Sequence, residues 1–318
     1  MVGDAELAIQ TSGLGMIYNP GLFARRSVGL QDLNLAVPRG SIFGYLGQNG
    51  AGKTTTIKIL AGLQFATSGQ AWLFGHDVRD SRARRDLGFM PENPYFYEYL
   101  TGEETLDFFG KLSRLDRATR RKRTGELLAQ FGLEHAGRVP MRDYSKGMRQ
   151  RLGLAQAILH TPPLVILDEP MTGLDPLGRR DMRNVILSLR DSGQTVFFSS
   201  HILSDVEDIC DRVCVINKGR VVAEGRIHSL LTGRVLEVSL AASGIPPQGV
   251  AELQGLARRA WHDGALYHVL VDSEETAQQA KQLLEKAGGT LRAMQPHKES
   301  LEEYFVRVTS AAGEGNRL

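Results

Sequence analysis

Hydrophobic spacing changes character several times along this chain, and the changes divide it. Leu7 and Ile9, then Val28, Leu30, Leu33, Leu35 and Val37, alternate with polar positions in the manner of half-buried antiparallel strands, and the run stops at Pro38-Arg39-Gly40. Ile42, Phe43, Tyr45 and Leu46 then make a short, almost continuously apolar strand. It leads into a loop carrying Gly47, Gly50 and Gly52, after which Lys53-Thr54 opens an apolar-periodic helix that Gly62 stops. Gln70 to Phe74 and Leu87 to Met90 read as further short strands.

From about Thr101 to His160 the spacing becomes helical. It predicts helices over Glu103 to Leu112, over Arg117 to Phe131 closed by Gly132, and from Ser145 to His160 stopped by Pro162-Pro163. Strand-like runs then return at Leu164 to Leu167, Thr195 to Ser199, Cys214 to Ile216 and Val221 to Ala223. A helix from about Pro176 to Leu189 separates the first two, and the turn Asn217-Lys218-Gly219 joins the last two. Strands alternating with helices imply a mainly parallel sheet covered on both faces, with functional residues at the carboxyl ends of its strands. The expected fold is therefore α/β, with an antiparallel β subdomain and a helical subdomain inserted at about 93–160.

Beyond about Ser229 the composition shifts. Val235 to Leu240, Leu266 to Val271 and Thr290 to Met294 look like strands, with helices near Val250 to Leu256, Ser273 to Ala287 and Ser300 to Val308. The division expected is a domain over 1–228 and a small α+β domain over 229–318 that ends in a disordered tail, SAAGEGNRL. Nothing in this second module suggests chemistry, so it is read as a docking or dimerisation unit. A length of 318 residues suits one large and one small domain.

The loop after the first apolar strand carries the clearest chemistry. Gly47, Gly52, Lys53 and Thr54 satisfy G-x-x-x-x-G-K-[ST]. Glycines lack the Cβ that would block close approach, so the backbone N–H groups of Gly47, Gln48, Asn49, Gly50, Ala51, Gly52, Lys53, Thr54 and Thr55 can gather around a di- or triphosphate. The positive end of the following helix adds to this. Lys53 is placed to reach the β/γ-phosphates and the Thr54 hydroxyl to take a position on Mg²⁺. The second site is LVILDEP: Asp168, at the end of a buried strand, is the candidate acid for Mg²⁺, and Glu169 is placed to polarise a water for attack on the γ-phosphate. Adjacent acids after an apolar run are common, and this pair gains its meaning from following a phosphate loop. Tyr18, just ahead of the second strand, can stack on an adenine face.

Charge and cysteine content narrow the partners. Lys+Arg 38 against Asp+Glu 36 leaves a formal charge of +2, without the global basic field of a nucleic-acid binder. The local cluster Arg114, Arg117, Arg120, Arg121, Lys122 and Arg123 reads as a solvated helix face, with anionic lipid or an acidic partner as the other reading. Cys210 and Cys214, inside a helix end and a strand, suit packing better than a metal or redox site. The opening MVGDAELAIQ has no basic n-region or apolar h-region, and no stretch approaches 18 apolar residues, so a soluble cytoplasmic protein is expected, with any membrane role exercised through a partner.

With Tyr18, GQNGAGKT, FMPEN, YSKGMRQR, LVILDEP, GLDP and the histidine of FFSSHI in this order, roughly residues 5–228 resemble the ATP-binding subunits of ABC transporters, which have a P-loop NTPase core. The resemblance implies that Ser145, Gly147 and Met148 sit at a helix N-terminus facing the γ-phosphate of an ATP bound by a second subunit, so that two ATPs lie in a head-to-tail homodimer. It further implies that Asp175 lies at that interface, that His201 contacts the γ-phosphate, and that Glu92 occupies the place of a glutamine ligand of Mg²⁺ and water. Two departures stand out. Tyr144, Lys146 and Met148 replace the leucine, first glycine and glutamine of the usual LSGGQ, and Glu92 brings a charge where a neutral amide is usual. Tyr95, Phe96, Tyr97 and Tyr99 follow it where the family lines a groove for a short helix of the membrane permease subunit.

The sequence is thus read as an ATPase subunit that binds ATP and Mg²⁺, peripheral on the cytoplasmic face of the cell (inner) membrane, powering export through a separate permease, with an appendage similar to that of drug and polysaccharide exporters. Two readings compete with it. A ribosome- or DNA-associated ABC-type ATPase usually carries two cassettes, a coiled coil or a zinc module, whereas this chain has a single GKT loop, no sustained heptads and no paired C-x-x-C. A regulatory pseudo-ATPase is disfavoured by Glu169 and His201 and favoured by Glu92.

Overall fold

A long antiparallel pair opens the chain. In the computed structural model, which describes residues 6–18, 26–231 and 235–314, β1 (Leu7–Tyr18) pairs with β2 (Ser27–Pro38) in a register that sets Leu14 opposite Leu33 and Met16 opposite Leu30. β3 (Ile42–Leu46) follows and is buried along its whole length, then comes α1 (Lys53–Leu60). β4 (Ser68–Leu73) and β5 (His76–Asp77) complete a four-stranded sheet of order β2-β1-β4-β5, and β6 (Leu87–Met90) returns to the layer of β3.

Three helices come next, each begun by a side chain that satisfies backbone donors the helix cannot. α2 (Gly102–Leu112) starts at a reciprocal pair, with Thr101 Oγ1 accepting from the Glu104 N–H and Glu104 accepting from the Thr101 N–H. Asp116 caps α3 (Arg117–Gln130), and Ser145 caps α4 (Lys146–Ala157). The apolar spacing carries α4 on to His160, but the regular helix stops at Ala157. Arg120 and Arg123 do not belong to a solvated face: Arg120 is held by Asp107 and the Leu115 carbonyl, and Arg123 donates to the carbonyls of Ile158 and Leu159.

The chain then alternates through β7 (Leu164–Leu167), α5 (Pro176–Asp191), β8 (Thr195–Ser200), α6 (Leu203–Ile209), β9 (Arg212–Asn217) and β10 (Arg220–Arg226). The six-stranded sheet has the order β10-β9-β3-β8-β7-β6, parallel except for β10. The β9–β10 turn places both Lys218 and Gly219 at positive φ, 47° and 78°, which matches the twist of a two-residue hairpin. Leu14, Leu30 and Leu33 from the antiparallel sheet share one core with Phe43, Tyr45, Ile57, Phe197 and Ile216, so the two sheets close on α1 and on the loop before it. Cys210, at the end of α6, and Cys214, buried in β9, are free thiols whose pKa values burial pushes up.

Contacts divide the chain into a first compact unit of Met1–Ile227 and Val308–Leu318 and a second of His228–Arg307. After α7 (Ile227–Leu230), the second unit contains β11 (Val235–Ser243), α8 (Pro247–Leu256), β12 (Arg259–His262), β13 (Tyr267–Val271), α9 (Glu274–Lys286) and β14 (Thr290–Lys298), before α10 (Leu301–Glu314). Its antiparallel sheet has the order β12-β13-β11-β14, the split β-α-β arrangement. Val238, Leu240, Val269 and Val271 pack against Leu253, Ala277, Ala280 and Leu284 of the helices. β12 escapes the sequence pattern because its RAWH is short and mostly exposed. The tail expected to be disordered from Ser310 continues α10 as far as Glu314, and residues 315–318, like residues 19–25, lie outside the described residues. No helix among the described residues is long and apolar enough to cross a membrane.

Candidate nucleotide site

Two of the three glycines in the loop between β3 and α1 are required by neighbouring backbone. A Cβ on Gly47 would lie 2.7 Å from the Ile216 carbonyl, and one on Gly52, at φ 111°, would lie 2.6 Å from the Gly29 carbonyl. The loop is also bonded from behind: the Gly219 N–H donates to the Ala51 carbonyl at 2.8 Å, while the Gly219 carbonyl accepts from Gln31 N–H at 2.8 Å. Gly50, at φ 80°, has nothing within 4 Å of where a Cβ would stand, so that side of the loop is open to a ligand. Gly52 leads into α1 without a side-chain cap, which leaves the N–H groups of the first turn available to an anion.

A cavity of about 610 Å³ opens over this loop, lined by Gln48, Asn49, Gly50, Gly52, Lys53, Thr54 and Thr55 together with Tyr18, Glu92, Glu169 and His201. Eleven expected positions from five separated stretches of sequence therefore meet in one place. Gly47, Ala51 and Asp168 support it from behind. Tyr18 ends β1, with its ring against Gly29 and its hydroxyl sharing a 2.9 Å hydrogen bond with Thr55 Oγ1. Ser27, Val28, Gly29 and Thr172 also line the cavity and were not expected there, since none of them belongs to a phosphate or signature motif and Val28 reads only as a strand residue.

Two buried acids follow the carboxyl end of β7: Glu169 on the cavity floor and Asp168 behind it. Lys53 Nζ donates to the Gly47 carbonyl at 2.7 Å and lies 3.2 Å from Glu169 Oε1, with both side chains almost wholly buried. His201 Nδ1 lies 2.7 Å from Glu169 Oε2. Glu169 thus has a basic group on each oxygen, and its own backbone stands at φ 50°, in the left-handed region that a side chain rarely adopts. Ser199 connects the pair of acids: its hydroxyl donates to Asp168 Oδ1 at 2.6 Å and accepts from the Glu169 N–H at 2.9 Å. Burial pushes the Asp168 carboxyl up, against hydrogen bonds from Ser199 and Thr54 that lower it. Ser199 stands in FFSSH, two residues before the histidine that drew attention, and only its position in β8 reveals its part.

These residues fit a magnesium ion. The Thr54 hydroxyl beside the Asp168 carboxylate, with Glu92 on the same cavity, is a set of hard oxygen donors.

Ser145, Gly147 and Met148 do not line this cavity. Ser145 Oγ accepts from the Met148 N–H at 3.2 Å as the cap of α4, and Lys146 lies against Gly173, just before Asp175, which caps α5 through the Gly178 N–H at 2.8 Å. Tyr144 replaces a leucine without loss of packing: it is buried and its hydroxyl donates to the Ala136 carbonyl at 2.7 Å. The expected run of docking aromatics is split. Phe96 is core, edge-on to Phe109, whereas Tyr95, Tyr97 and Tyr99 are exposed. Tyr95 borders a second cavity of about 690 Å³ that also takes in Phe89, Pro94 and Leu112, with Arg84, Arg85 and Arg114 around it.

A parallel sheet with a phosphate loop at the end of a central strand, an antiparallel sheet behind the loop, inserted helices and a buried Asp-Glu pair define an ATPase cassette. Comparison with known proteins agrees. Residues 30–172 match the family model described as ABC transporter. The chain is 38% identical over 313 residues, covering 96% of it and 85% of the relative, to the uncharacterised ABC transporter ATP-binding protein sll0415 of Synechocystis. It is 37% identical over 311 residues, 95% of this chain and 92% of the relative, to the daunorubicin/doxorubicin resistance ATP-binding protein DrrA of Streptomyces peucetius. A solved ATP-binding subunit of an ABC transporter superposes with a TM-score of 0.64 at 33% identity, covering 71% of this chain and 92% of that one.

The chain belongs to the ABC transporter ATP-binding proteins. It is the ATP-binding, ATP-hydrolysing subunit of such a transporter, and these relatives favour that reading over a ribosome- or DNA-associated ATPase.

Proposed function

We propose that this subunit powers export through a separate membrane permease, working as a Mg²⁺-dependent homodimer at the cytoplasmic face of the membrane. The observation that carries the catalytic part is the Glu169 carboxylate, held between Lys53 and His201 at the floor of the cavity. Loop N–H groups and Lys53 bind the β- and γ-phosphates, and the Tyr18 ring takes the adenine face. Thr54, Asp168 and Glu92 would hold Mg²⁺, which when bound would neutralise phosphate charge. Glu169 orients the attacking water and accepts its proton as the new P–O bond forms and the bond to the leaving ADP oxygen breaks, while His201 holds the γ-phosphate oxygens.

Because Ser145, Gly147 and Met148 lie away from the cavity, their N–H groups at the start of α4 are assigned to the ATP of a second copy. Tyr95 and its apolar neighbours are assigned to a helix of the permease, which carries the substrate path. The daunorubicin/doxorubicin resistance named for the Streptomyces relative supports an outward direction of transport.

The test is Glu169→Gln in the purified chain. Mg²⁺-ATP should still bind, turnover should fall by about a hundredfold or more, and an ATP-dependent dimer should appear on sizing chromatography. Wild-type turnover in the variant would remove Glu169 from catalysis.

A further inference from the structure

Gln150 is a large polar side chain almost wholly shut away from solvent, at 1% exposure, on the α4 helix whose first residues are assigned to the second copy's ATP. Its Nε2 donates to the Pro170 carbonyl at 3.2 Å and to the Glu169 carbonyl at 3.4 Å. A buried amide is retained only where its hydrogen bonds are made, and both of these fall on the peptides that follow the proposed base.

Those peptides need holding. Glu169 is one of few non-glycine residues at positive φ, 50°, and nothing local to the sequence Asp-Glu-Pro favours that conformation. On its amino side the Glu169 N–H is fixed by Ser199 Oγ. On its carboxyl side the Glu169 carbonyl also accepts from the Thr172 N–H at 3.1 Å, which closes a turn, but among the described residues only Gln150 reaches across from another element. Ser199 and Gln150 thus hold the residue from opposite sides, and the carboxylate that results points between Lys53 and His201.

We propose that Gln150 is a positioning residue for hydrolysis: it holds the Glu169–Pro170 backbone in place and so ties the orientation of the base to helix α4. Movement of α4 when Ser145 meets the nucleotide of a second copy is then transmitted, through one buried amide, to the base of this chain's own site. The inference rests on the assignment of Glu169 as the base.

The experiment compares Gln150→Met, which keeps the length and loses the donor, with Gln150→Glu and with Glu169→Gln in one assay series. Gln150→Met should lower kcat by roughly ten- to a hundredfold, the scale of a displaced catalytic group, while fluorescent-nucleotide affinity and the melting temperature stay close to wild type. A kcat within about twofold of wild type would overturn the proposal. If Gln150→Met fails to fold, Gln150→Glu decides. A protonated carboxyl can donate to the same carbonyls and an ionised one is repelled by them, so its activity relative to wild type should rise as pH falls. A ratio flat with pH overturns the proposal. Full turnover in Glu169→Gln would instead sink the assignment of the base, separating that failure from failure of the role given to Gln150.

Discussion

Asp205 stands near the start of α6, just past His201, with 4% of its surface exposed. Its Oδ1 lies 3.8 Å from Arg183 Nη1, and its Oδ2 has no hydrogen-bond partner among the described residues. Burial pushes its pKa above the ordinary 3.8, and the positive charges of Arg179 and Arg183 offset this only in part. The sign follows from proton counts. Between the ordinary value and the raised one the unfolded chain releases a proton that the folded chain keeps, so rising pH through that window removes stability. Asp205→Asn should therefore gain in melting temperature relative to wild type as pH rises from about 4 toward 7. A difference that is constant or falls over that range would show the charge to be adequately paired. Legibility at this scale followed the same physics. Lys53, Asp168 and Glu169 were readable because their settings are local: a lysine closing a glycine loop, and two acids ending an apolar strand. Ser199 and Gln150 act on backbone atoms of distant residues, and no spacing records such a contact.

Among the elements, the β9–β10 hairpin does more than finish a sheet. Its Gly219 bridges the phosphate loop at Ala51 and strand β2 at Gln31. A Cβ there would lie 2.8 Å from the Gly29 carbonyl and 2.9 Å from Leu30 Cα, at a φ of 78° that already disfavours a side chain. Gly219→Ala should cost on the order of 2–3 kcal/mol by urea unfolding and should weaken nucleotide binding, because the displaced strand supports Gly52. Gly40 gives the comparison: its φ is 65° but nothing lies within 4 Å of an added Cβ, so Gly40→Ala should cost only about 1 kcal/mol and leave binding alone. Equal losses from the two would refute the role given to the seam under the loop. The turn Asn217-Lys218-Gly219 was legible from its residue types; the strand against which Gly219 packs lies almost two hundred residues earlier in numbering and was not.

At the scale of the whole molecule, the site over the loop is incomplete by design if Ser145 serves a second copy. Ser145→Arg should then block the ATP-dependent dimer and its turnover, while the affinity of the monomer for nucleotide stays within about twofold of wild type. Collapse of monomer affinity, read by fluorescent-nucleotide titration, would show Ser145 acting on its own chain's nucleotide. Loss of the Ser145 cap costs α4 about 1 kcal/mol in addition, so a melting curve belongs beside the titration.

By itself the sequence determined the elements that rest on local physics: the glycine loop between strand and helix, the helix stops at Gly62 and Gly132, the Asp-Glu pair after an apolar strand, and the change of texture past Ser229. Each depends on dihedral preference, capping or periodicity within a few residues. Tertiary structure alone decided which of the aromatics after Glu92 were core, with Phe96 turned inward against Phe109 and Tyr95 outward. It also decided that Arg120 and Arg123 of a basic run would be spent on Asp107 and helix-end carbonyls. The left-handed backbone of Glu169 was likewise its doing, since that conformation is unfavourable locally and is held from both sides by Ser199 and Gln150, which the fold brings in from β8 and α4.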